Sequence, residues 1–160
     1  MKDLLDKISS YNLFNFLFPG AVFIIILEKV SIFDLQQKNI IAGAFLYYFV
    51  GLVISRVGSL LIEPLLKKTS FVQFTDYKDF VEASKKDVKI DVLSETNNMF
   101  RTLIALFTIV LLIKPYELLY SYSPECGKYT LILLILVIFL LSYRKQTDYI
   151  TKRVGCNKDT

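Results

Sequence analysis

The chain has 160 residues, a formal charge of +4, 54 % hydrophobic residues and a mean hydropathy of +0.47. That apolar content is high for a soluble domain of this size, and it gathers in four blocks, which points to a membrane protein. With no histidine, the commonest general base and metal ligand at neutral pH are both missing; Cys126 and Cys156 are isolated, so no metal or other cofactor is expected.

The first block, Leu13 to Phe33, follows a stretch too long and too mixed in charge for a signal peptide, and no small-residue cleavage site follows it. It reads as a retained helix. Within it Pro19 lacks the N–H that would bond the Asn15 carbonyl, and Gly20 is next to it, so Asn15, Pro19 and Gly20 mark a kink or hinge. The second block, Ile40 to Leu66, carries only two charges, Arg56 and Glu63. The third begins near Met99 and stops at Ile113, before Lys114-Pro115, although a helix begun near Asp91 would lengthen it. The fourth covers Tyr129 to Tyr143. A span needs about 20 apolar residues, with about 17 a practical minimum. The expectation is an all-α integral membrane protein with four transmembrane helices over about 13–33, 40–63, 97–113 and 129–143. Residues 67–96 form a short cytoplasmic helical segment, the whole being a single domain.

Lysine and arginine set the orientation. Lys2 and Lys7, the middle loop and the C-terminal tail hold 13 cations on one side, against Lys29, Lys38, Lys114 and Lys128 on the other. Both termini and the middle loop are therefore expected on the cytoplasmic side. Tyr116, Tyr120, Tyr122 and Tyr129 would lie at the outer interface. The two cysteines fall on opposite sides, so no disulfide is expected. In the middle loop, Thr75 or Asp76 caps a short amphipathic helix carrying Tyr77, Phe80, Val81 and Val88, and "VKIDV" alternates like a strand but, being short and leading into a helix-length pattern, reads as helix.

Plotted at about 100° per residue, Gly51, Ser55, Gly58 and Ser59 share one arc of the second helix with Arg56 and Glu63, and most large aliphatics share the other. Small residues four apart let membrane helices approach closely, and the charges beside them should face protein or water. Two readings stay open. In one, Arg56 snorkels while Glu63 pairs with Arg101 and merely holds the bundle; in the other, the charges line a conduction path or a gate. Lys67, Lys68, Lys78, Lys85, Lys86 and Lys89 are either a plain positive-inside signal, a surface for anionic lipid headgroups, or a site for a nucleotide or oligonucleotide. Interleaved acids argue against a nucleic-acid groove. No HExxH, GxSxG, P-loop, GxGxxG or paired-carboxylate motif occurs, so an enzyme is not expected.

With "FPG" in the first helix and "GLVISRVGSLLIEPLLK" ending the second, the chain resembles small four-span effectors of bacterial anti-phage defence systems, of the Hailong type and more loosely the Kiwa type. The resemblance implies a homo-oligomeric ion channel or membrane-disrupting effector in the inner membrane of a bacterial cell, controlled by a cytoplasmic regulator protein or a nucleic-acid ligand. The alternative is a non-conducting anchor or assembly subunit that recruits a soluble partner through the middle loop.

Overall fold

The computed structural model describes residues 12–158, and the side chains of 12–156. Lys2 and Lys7, which entered the charge count, lie outside the described residues. Five helices follow in order: α1 (Leu13–Val30), α2 (Ile40–Lys68), α3 (Tyr77–Lys86), α4 (Lys89–Tyr122) and α5 (Pro124–Lys158). No strand occurs among the described residues, and α1, α2, α4 and α5 are each long and apolar enough to cross a membrane.

The starts and stops have local causes. The Asn39 side-chain oxygen accepts the Ile41 and Ala42 N–H groups, at 2.9 and 3.2 Å, and so caps α2. Pro64, in the last turns of α2, cannot donate to the ladder. At the far end of that helix, Ser70 (φ 57°) takes the left-handed conformation. Its N–H reaches the Lys67 carbonyl and that of Phe71 the Leu66 carbonyl, both at 3.0 Å, which closes the helix in a Schellman turn. Extended Ser123 precedes Pro124 at the first position of α5, where a missing N–H costs nothing.

Two prolines are preceded by the same device. A wide π turn occupies Leu13–Leu17, two residues before Pro19, and another occupies Gly58–Ile62, two residues before Pro64. In each the next N–H reaches five residues back, Phe18 to Leu13 and Glu63 to Gly58. Widening the turn takes the proline ring off the carbonyl it would otherwise strike. The expected break at Pro19 thus takes the form of a π turn containing buried Asn15, followed by buried Pro19 and Gly20.

Element lengths differ from the expected spans. Helix α1 ends at Val30, because Ser31 is extended. Helix α4 does not stop at Ile113; it runs through Lys114 and Pro115 to Tyr122. A proline there removes one backbone bond, and side-chain contacts beyond it hold the extra turns. The Tyr116 hydroxyl donates to the Gly127 carbonyl at 3.0 Å, and Phe33 meets the Tyr116 and Tyr120 rings. Residues 89–96, expected in the middle segment, are the first turns of α4. At 34 and 35 residues, α4 and α5 are each about 50 Å long, well beyond a hydrocarbon core of about 30 Å.

The core lies among α1, α2 and α4, built from Phe23, Ile24, Leu27, Ile54, Ile62, Ala105, Leu106 and Ile113. Helices α1 and α2 touch backbone to backbone. A Cβ on Gly51 would stand 1.7 Å from the Phe16 carbonyl oxygen, and one on Gly20 would stand 1.8 Å from that of Tyr47. Only glycine fits either place. Helix α5 stands apart from this core. Just 6 % of its most apolar stretch is buried, against 22–33 % for the other three long helices.

Candidate functional site: a caged glutamate beside a basic cavity

The bundle has two unlike ends. At one, α2 finishes, α4 begins and the last turns of α5 arrive; this is the basic end. The other holds the tyrosines around the α4–α5 turn.

At the basic end the Glu63 carboxylate is buried, with 7 % of the residue exposed, and is surrounded by cations from three helices. Arg101 of α4 bonds Oε2 through Nη1 at 2.5 Å, Lys67 of α2 bonds Oε1 at 3.1 Å, and Lys145 of α5 lies 3.5 Å from Oε1. Lys145 also donates to the Ser59 carbonyl at 2.6 Å and the Ser59 hydroxyl at 2.8 Å. The carbonyl is left free because the Glu63 N–H has moved back to Gly58 in the π turn, and Pro64, the next residue in line, has no N–H to give. A carboxylate this buried is tolerable only when paired, and here one acid ties α2, α4 and α5 together.

The small residues of α2 occupy different contacts. Gly51 lies against α1. A Cβ on Gly58 would come within 3.2 Å of the Arg101 carbonyl oxygen and 3.4 Å of Ala105, so Gly58 sets the approach of α2 to α4. The Thr102 hydroxyl on α4 lies 3.3 Å from that of buried Ser55 and donates to the Asn98 carbonyl at 2.9 Å.

Arg56 is half-buried and has no ion-pair partner among the described residues. It faces a cavity of about 500 Å³ that Ser59, Glu63 and Arg101 also line. The loop and α3 contribute Phe74, Thr75, Tyr77 and Phe80 to its wall, and α5 contributes Gln146, Tyr149 and Lys152. Helix α3 is held against α4 and α5 through Val81, which is 1 % exposed, and through the Tyr77 and Tyr149 rings, 6.0 Å apart. The Lys67 ammonium lies 4.0 Å above the Phe74 ring.

Thus Ser59, Glu63, Arg101, Arg56 and Lys67 meet in one site, with Gly58 beside it. Gly51 and the expected hinge at Asn15, Pro19 and Gly20 do not: they make the α1–α2 crossing. Lys68, Lys78, Lys85, Lys86 and Lys89 are exposed and do not line the cavity. Sequence reasoning missed Lys145, Tyr149 and Lys152. They stand at i, i+4 and i+7 on one face of α5, a signal hidden while the helix was expected to end at Tyr143. It also missed Glu117 at the tyrosine end, buried and accepting the Ile32 N–H at 2.8 Å and Lys114 at 2.7 Å.

No protein-family model, no curated protein and no solved structure matches this chain.

Proposed function

We propose that the chain is an oligomeric inner-membrane protein with cytoplasmic termini, acting as a gated ion channel or membrane-disrupting effector in bacterial anti-phage defence. One observation carries this reading: a single buried carboxylate holds cations from three separate helices at one end of the bundle. Such a cage has alternative pairings, and exchanging one would shift α5 relative to α2 and α4. The thin packing of α5 supports assembly, because that helix has apolar surface to share with neighbouring copies or lipid. Gating belongs to a cytoplasmic regulator protein or to a nucleotide or oligonucleotide ligand.

The test is conductance of the purified protein in planar bilayers, with depolarisation of expressing cells as its cellular counterpart. Glu63→Gln frees Arg101 and Lys145 and is expected to raise basal current above wild type. Absence of current from both wild type and E63Q, with both proteins inserted, would sink the channel reading. The second reading is a non-conducting anchor or assembly subunit. Exposed Phe71, Val88, Val92 and Leu93, in and around the middle segment, favour it as a surface for a soluble partner. A monomer whose middle segment is shielded by a co-purifying protein would support that reading.

A further inference from the structure

The cavity at the basic end has an excess of charge that the bundle itself leaves uncompensated. Four cationic residues line it, Arg56, Lys67, Arg101 and Lys152, against Glu63 as its lone acid. Glu63 already satisfies Lys67 and Arg101, and Lys145 behind them. Arg56 and Lys152 have no ion-pair partner among the described residues, and the Arg101 Nε is buried with no hydrogen-bond partner there. Like charges turned into one recess repel one another, and a buried guanidinium N–H without an acceptor is costly. The repulsion is relieved by one polyvalent anion with several acceptor oxygens.

We infer that this cavity is a binding site for a phosphate group, engaged by Arg56 from α2 and Lys152 from α5, with Arg101 of α4 also lining it. Guanidinium groups match phosphate oxygens in bidentate geometry, and an ammonium supplies a mobile point charge. A volume of about 500 Å³ leaves room for more than the phosphate and falls in the ordinary range for small-ligand sites. Tyr149 offers an aromatic wall to whatever the phosphate carries. Along α2 the cavity extends from Arg56 to Lys67, about 16 Å of helix, so it reaches from the apolar run to the helix end. Two sources can supply the phosphate, an anionic lipid headgroup at the membrane edge or a soluble phosphorylated molecule. The site stands on the cavity alone, whether or not the protein conducts, and its test reads binding rather than current.

Binding is measured on the full chain in a neutral detergent. Inorganic pyrophosphate, followed by thermal shift, is the soluble probe. Phosphatidylglycerol against phosphatidylcholine, counted as retained lipids by native mass spectrometry, is the lipid probe. Wild type is expected to bind at least one of the two anionic probes. Arg56→Gln with Lys152→Gln should weaken that binding by about tenfold or more, while Lys68→Gln with Lys86→Gln, exposed and outside the cavity, should leave it unchanged. Lys152→Gln alone, at an exposed position, should give a partial loss and keeps the test decisive if the double variant does not fold. Pyrophosphate binding identifies a soluble ligand, and retention of phosphatidylglycerol alone identifies a headgroup; either supports the site. Failure of both probes to bind wild type, or equal loss in the two double variants, overturns it.

Discussion

Each end of the bundle buries one glutamate, and the two are used differently. Glu117 at the tyrosine end accepts one backbone N–H from the α1–α2 connection and one lysine from its own helix. It clamps a loop. Glu63 at the basic end is met by cations from α2, α4 and α5, beside an open cavity. It holds three helices in register. The number of independent elements that converge on a buried charge, more than its burial, decides whether removing it loosens a corner or the whole end.

The sharpest way to break this comparison is to neutralise each acid in turn. Glu63→Gln leaves Arg101 and Lys145 clustered without a counter-charge, and the expected loss is about 3–5 kcal/mol, read by denaturant or thermal unfolding in detergent. Glu117→Gln retains an oxygen for the Ile32 N–H and loses only a pairing with an exposed lysine, so its loss should be plainly smaller. Equal losses would mean that the cage is no more than a local pair.

Two glycines of α2 extend the contrast to packing. Gly51→Ala would drive a methyl into the Phe16 carbonyl, and overpacking of this kind costs about 1–3 kcal/mol. Gly43, nearer the tyrosine end, has its closest prospective neighbour at 3.6 Å. Alanine fits there, and the gain in helix propensity should stabilise the protein by up to about 1 kcal/mol. The same unfolding measurement separates the two signs. An effect as small as that at Gly43 is expected at Ser70, where glycine would relieve the left-handed conformation that ends α2. Ser70→Gly should add up to about 1 kcal/mol without changing the cavity.

Much of the fold was legible because apolar length is a local property. Four runs predicted four long helices, and the interrupted middle run contained a short fifth. The Glu63–Arg101 pair was also within reach, since few partners exist for a carboxylate at the end of an apolar run. What stayed hidden depended on tertiary contact. Pro115 reads as a stop, yet Phe33 and Gly127, brought up from other segments, hold Tyr116 and Tyr120 beyond it. Lys145 reads as one more tail cation until α5 is seen to continue and turn it toward Ser59. Lys85 and its exposed neighbours, prominent as a run, do not line the basic-end cavity, because α3 turns Val81, Tyr77 and Phe80 inward instead.

The wide turn before Pro64 also alters how the chain can change length. A turn of this kind is an α-helix carrying one residue too many, the surplus held at Gly58–Ile62. Arg56 and Glu63, seven positions apart, are displayed around the axis roughly as residues six apart would be, a rotation of about 100° from the regular helix. The site's geometry is thus already adapted to an insertion. Loss of one residue within that turn would return the segment to regular helix and keep Glu63 beside Arg101, whereas the same loss a few residues earlier, among Val50 to Val53, would swing the whole cage out of register. Tolerance to a one-residue deletion in α2 should therefore be confined to that turn.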